Sequence, residues 1–148
     1  MSAARNLHAT AIVIGTQGFL FVGSSGSGKT DRALACLAQA QARGLHAALV
    51  GDDQVIVCAR HGRIIAEAID TIAGQAEIRG AGIVGVSVVA AAVMDFAVEP
   101  VDTATSARMP PEDEQFHLCE MGTLPLLRLP LQSSETLDNL LLIAAARA

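Results

Sequence analysis

The feature that most constrains this chain is the loop Gly23-Ser24-Ser25-Gly26-Ser27-Gly28-Lys29-Thr30, set between an apolar run and a helical pattern. Gly23, Gly28, Lys29 and Thr30 satisfy G-x-x-x-x-G-K-[ST], the phosphate-binding loop that joins a strand to the helix it opens. Glycines let such a loop curl so that successive N–H groups point inward, and the helix N-terminus adds partial positive charge. In that role all of Gly23 to Thr30 contact a nucleotide. Lys29 is expected to reach the β- and γ-phosphates, and Thr30 to offer its hydroxyl to Mg²⁺, a hard cation that takes oxygen ligands. Lys29 is the only lysine in the chain, the other nine strongly basic residues being arginine.

The surrounding pattern supplies the context that the motif needs. Ala11 to Gly15 and Phe19 to Val22 are β-prone runs parted by Thr16-Gln17-Gly18. Ala33, Leu34, Leu37, Ala38 and Ala40 recur at helical spacing from Lys29 to Arg43, and Gly44 is a C-terminal stop. Ala47 to Val50 reads as a buried strand that delivers Asp52 and Asp53 at its carboxyl end. Val55 to Ala59 and Arg63 to Ala68 flank a hairpin turn at Arg60-His61-Gly62. Gly74 to Gly85 reads as a loop with short extended pieces, Val93 to Val98 as one strand, and Thr103 to Glu114 as a surface loop. Leu126 to Leu129, between prolines, predicts an edge strand. Ser133 or Ser134 is expected to cap a last helix with Leu137, Leu140, Leu141 and Ala144 on one face.

Composition narrows the function. The 148 residues, 51% apolar, suit one domain with a filled core, and a net charge of −5 without a basic cluster speaks against nucleic-acid or anionic-membrane partners. No apolar run reaches the roughly 18 residues of a membrane helix, and the first ten residues lack a signal-peptide pattern. Cys36, Cys58 and Cys119 show no metal-ligand spacing and read as small core residues in a reducing cytoplasm.

A P-loop alone specifies phosphate, so the reaction must come from other groups. Ligands of open α/β sheets bind outside the carboxyl ends of the strands, where Asp52 and Asp53 would face the loop. One carboxylate can hold Mg²⁺ while the other accepts a proton from an attacking hydroxyl. Glu77 and Arg79, two apart in an extended segment, point to one side, so a cation and a phosphate oxygen can be met together.

Taken in order, His8, the loop Gly23 to Thr30 followed by Asp31, Leu49-Val50-Gly51-Asp52-Asp53, and Glu77-Ile78-Arg79-Gly80-Ala81-Gly82-Ile83 resemble the catalytic domain of the bacterial HPr kinase/phosphorylases. The resemblance covers roughly residues 8 to 145. It implies an α/β P-loop domain of the HPr kinase and phosphoenolpyruvate carboxykinase type, with a mixed sheet and packed helices. It further implies ATP and Mg²⁺ as cofactors, a serine of the phosphocarrier protein HPr as acceptor, dephosphorylation with inorganic phosphate, and a homo-oligomer. By motif position, Asp52 is the acid/base residue, Asp53 a metal-side partner, Glu77 a Mg²⁺ ligand, Arg79 a phosphate contact and His8 an active-site histidine.

The chain departs from the family pattern in two ways. It reads as the catalytic core without the N-terminal domain of longer members. After Pro130 stands Leu131-Gln132-Ser133-Ser134 in place of the family's P-G-R-N, so the arginine tied to dephosphorylation is missing there. Two other readings fit the same motifs: a P-loop kinase or phosphatase for a different substrate, and a non-enzymatic nucleotide or phosphate sensor.

Overall fold

The computed structural model describes residues 4–24, 26–69, 87–104 and 113–147, and the backbone of 75–78 and 82–85. In chain order, β1 (Ala4–Leu7), β2 (Thr10–Ile14) and β3 (Gln17–Phe21) lead into α1 (Lys29–Ala42). There follow β4 (Ala47–Gly51), β5 (Val55–Arg60), β6 (Arg63–Ala68), β7 (Gln75–Ile78), β8 (Gly82–Gly85) and β9 (Ala91–Met94). Last come β10 (Phe96–Val101), β11 (Gln115–His117), β12 (Thr123–Pro130) and α2 (Thr136–Arg147).

A mixed six-stranded sheet of order β11-β12-β10-β3-β2-β4 is the centre of the fold. Apart from the edge strand β11, its strands alternate side chains between two covered faces, so their sequences are largely apolar. Ile12, Ile14, Phe19, Phe21, Phe96, Val98, Leu127 and Leu129 meet Leu37 and Ala40 of α1 and Leu137, Leu140 and Ala144 of α2. Their neighbours Ala11, Leu20, Val22, Ala97 and Leu126 face Val55, Val57, Ile64, Ala66 and Met94. That second layer is the antiparallel sheet β1-β5-β6-β9. The α/β class with a mixed sheet and packed helices is therefore as the sequence predicts.

Strand direction gathers one end of the sheet. β10 runs parallel to β3 and β12, whereas β2 is antiparallel to both β3 and β4. Hence β3, β4, β10 and β12 all finish where β2 begins. The residues after Phe21 and after Gly51 thus emerge beside Thr10.

Three expectations are corrected. Val93 to Val98 is two strands, because Asp95 breaks the run and clamps β3: its Oδ2 accepts the Gly18 N–H at 2.8 Å and its own N–H donates to the Gly18 carbonyl at 2.9 Å. The chain thereby passes from one sheet to the other. Leu126 to Leu129 is not an edge, since β12 lies between β10 and β11. Its prolines do not break the ladder because the N–H groups next to them are used, Leu126 donating to Glu114 O and Leu131 to Val101 O, each at 2.8 Å. Cys119, finally, is exposed, while Cys36 and Cys58 are buried as expected.

Smaller points agree with the sequence. His61 and Gly62 both have positive φ, 52° and 77°, the geometry of a tight hairpin turn between β5 and β6. The expected serine cap of α2, by contrast, is met differently: Ser133 Oγ accepts the Glu135 N–H, which lies ahead of the helix, and the first-turn Leu137 N–H is met from the other helix by Gln39 Oε1 at 2.8 Å. The segment Gly74 to Gly85 contains an antiparallel pair, β7 with β8. Most of the expected loop Thr103 to Glu114 lies outside the described residues.

Two stability predictions arise here. A Cβ on Gly18 would sit 2.0 Å from the Val93 carbonyl oxygen, a backbone atom that cannot swing aside. Gly18→Ala should therefore lower the free energy of unfolding by about 3 kcal/mol, the upper end of overpacking costs; an unchanged urea midpoint would contradict so close a contact.

Burial pushes the Cys36 thiol up from 9.0 to about 12, partly offset by the Arg32 charge. Because the folded state keeps the proton, this contribution is complete below about pH 9 and is lost as pH rises toward 12. At pH 8 a thiol reagent should label Cys119 rapidly and Cys36 only after denaturation. Equal rates would refute this.

Candidate functional site

The phosphate loop follows β3 directly. Gly23, Gly26 and Gly28 have φ of 129°, 81° and 98°, so the loop winds through the left-handed region that side chains resist. At Gly28 a Cβ would also lie 2.9 Å from Leu131 Cδ2, which closes the loop against the segment after β12. Lys29, 4% exposed, folds back over the loop and donates to the carbonyls of Gly23 at 2.8 Å and Ser24 at 3.1 Å. The Ser27 hydroxyl is buried without a hydrogen-bond partner among the described residues. Ser25 lies outside them.

Beside the loop stands a chain of oxygen groups. Thr30, in the first turn of α1, donates its hydroxyl to Asp52 Oδ1 at 2.7 Å, and Thr10 donates to the same oxygen at 3.1 Å. The Asp53 N–H donates to Thr10 Oγ1 at 3.1 Å, and Asp53 Oδ1 lies 3.3 Å from His8 Nε2. Asp53 has φ 69°, a conformation Asp tolerates better than most residues. A register shift at Ala11/Ile12 opposes these two residues to Gly51 and Leu49, leaving Val50 as an extra residue on β4. Such a bulge re-aims the chain that follows it, here Asp52 and Asp53.

Of the residues read from sequence, the structure thus brings together His8, Gly23, Ser24, Gly26, Ser27, Gly28, Lys29, Thr30, Asp52 and Asp53. Glu77 lies in β7, paired with Ile83, and nothing further of its position is described. Arg79 lies outside the described residues. Thr10 escaped sequence reasoning. Its only signal was position, two residues after His8 at the start of a strand.

The segment that differs from P-G-R-N is tied to α1. Arg32 Nη1 donates to the carbonyl of Ser133 and to Thr136 Oγ1, both at 3.2 Å, and Gln39 Nε2 to the carbonyl of Ser134 at 3.1 Å. Gln132 Oε1 accepts from the N–H and hydroxyl of Thr103 just beyond β10. Residues 131–134 therefore form a strap beside the phosphate loop.

This arrangement invites comparison with solved structures. The HPr(Ser) kinase/phosphatase from Coxiella burnetii superposes with a TM-score of 0.72 over 97% of this chain and 94% of that one, at 22% identity. The chain has the HPr(Ser) kinase/phosphatase fold. The resemblance carried by the motifs is met at that level, through a neighbour that matches nearly end to end. No protein-family model and no curated protein sequence matches the chain. Among the described residues no helix is long and apolar enough to cross a membrane.

Proposed function

We propose that the chain is a Mg²⁺-dependent protein kinase that moves the γ-phosphoryl group of ATP to a serine of an HPr phosphocarrier protein. The observation that carries this reading is the meeting of phosphate loop and carboxylates: Lys29, Thr30, Asp52 and Asp53 converge at one sheet end, with Thr30 and Asp52 joined at 2.7 Å. A purely phosphate-sensing loop needs no such acidic pair.

ATP and Mg²⁺ fit the groups present. The Ser27 hydroxyl, buried without a hydrogen-bond partner among the described residues, and the left-handed glycine turns of the loop suit phosphate oxygens, and Thr30 with Asp52 offers the hard oxygens Mg²⁺ prefers. Bound Mg²⁺ would neutralise charge on the phosphates. Lys29 would leave the carbonyls of Gly23 and Ser24 for the phosphates.

The hydrogen bonds favour a different division of the aspartates from the one the resemblance implies. Asp52, engaged by Thr30, orients the hydroxyl on the metal side. Asp53, exposed and beside His8, accepts the serine proton as Oγ attacks phosphorus and the bond to the β-phosphate oxygen breaks. His8 steadies the Asp53 carboxylate. Glu77 as a further metal ligand and Arg79 as a phosphate contact rest on the resemblance alone.

The proposal is confined to the kinase direction, because the strap at 131–134 carries no arginine. A cytoplasmic setting and a homo-oligomer belong to the same reading. Phosphopeptide mapping of HPr incubated with the chain and Mg-ATP tests the acceptor: a modified serine supports it, whereas unmodified HPr beside another phosphorylated protein would move the assignment to that substrate.

A further inference from the structure

Thr10 is fully buried and, with Lys29 and Thr136, one of three buried polar or charged residues among those described. Burying a hydroxyl is costly unless it is bonded, and a valine would suit the apolar surroundings of β2. Alternation places Thr10 on the face of Ile12 and Ile14, toward α1. From there its one hydrogen goes to Asp52 Oδ1 and a lone pair receives the Asp53 N–H, both at 3.1 Å.

We infer that Thr10 is a positioning residue that sets both aspartates of the site through one hydroxyl. Its donated hydrogen fixes the Asp52 carboxylate rotamer against Thr30, the second donor to the same oxygen. Its accepted hydrogen bond anchors the Asp53 backbone in the left-handed turn of φ 69°, which aims that carboxylate to the His8 side. The two aspartates, adjacent in sequence, are thereby sent to different tasks by a residue 42 positions before the first. The bulge on β4 brings Thr10 between them.

This inference rests on the phosphotransferase reading for its catalytic arm only. Thr10→Val removes the hydroxyl at nearly constant volume, and Thr10→Ser restores it without the methyl. Thr10→Val should lower kcat for HPr phosphorylation about 10- to 100-fold, as loss of a group that orients a ligand does, with the KM for ATP close to wild type. Thr10→Ser should recover most of the rate. In parallel, amide hydrogen exchange at Asp53 should speed up in Thr10→Val and stay near wild type in Thr10→Ser.

A kcat unchanged in Thr10→Val, or a serine variant as impaired as the valine one, would overturn the inference. If the wild-type chain phosphorylates no HPr, the proposed function fails, and the exchange arm still decides Thr10: unaltered Asp53 protection in the valine variant sinks it. Should Thr10→Val not fold, Thr10→Ala against Thr10→Ser carries the same comparison.

Discussion

Lys29→Ala is expected to cut phosphoryl transfer at least about 100-fold, the usual effect of deleting one strong donor from a site where charge develops. The reason is that, among the described residues, the buried ammonium is the one cation inside the phosphate loop, held at 2.8 Å from the Gly23 carbonyl. Alanine removes the charge and also the bridge between Gly23 and Ser24, so ATP affinity should fall along with the rate. Lys29→Arg should not rescue it, because a planar fork cannot replace a compact ammonium in so closed a turn. Titration calorimetry with Mg-ATP and a transfer assay read the two effects. Full activity in the alanine variant would remove the loop from the mechanism.

The second large effect concerns the acidic pair. Asparagine at position 52 can still accept from Thr10 and Thr30 through its amide oxygen, so Asp52→Asn removes charge while leaving that geometry available. It should raise the Mg²⁺ concentration needed for half-maximal rate by about 10-fold or more. Asp53→Asn should instead lower kcat by about 100- to 10,000-fold, the span of general acid–base catalysis, with the Mg²⁺ requirement little changed. The opposite pattern, a metal defect in Asp53→Asn and a lost proton acceptor in Asp52→Asn, would restore the division implied by the resemblance.

Much of this site was legible because its chemistry is local in sequence. The loop from Gly23 to Thr30 carries its own spacing, the strand before it and the helix after it. Asp52 and Asp53 follow an apolar strand whose bounding glycines mark its ends, and β4 spans Ala47–Gly51 accordingly. Thr10 was not legible, since its role exists only once β2 pairs with β4 and the bulge opposes Ala11 to Gly51. Nor does an apolar run announce where it changes sheets: Val93 to Val98 continues in character across Asp95, and only the long-range clamp on Gly18 splits it. Proline misled in β12 because the rule concerns a missing donor, and here the neighbouring N–H groups supply the ladder. Cys119 misled for a related reason. Residue type favours burial, but its place in the 3-10 turn Cys119–Met121 exposes it.

The proposed kinase unites, at one sheet end, a phosphate loop with carboxylates able to act on a serine hydroxyl. Transfer of labelled γ-phosphate from Mg-ATP to purified HPr tests it most directly, with the wild-type chain beside Lys29→Ala and Asp53→Asn. The account predicts label on an HPr serine with wild type and little or none with either variant. Firm ATP binding with no label on HPr would contradict it.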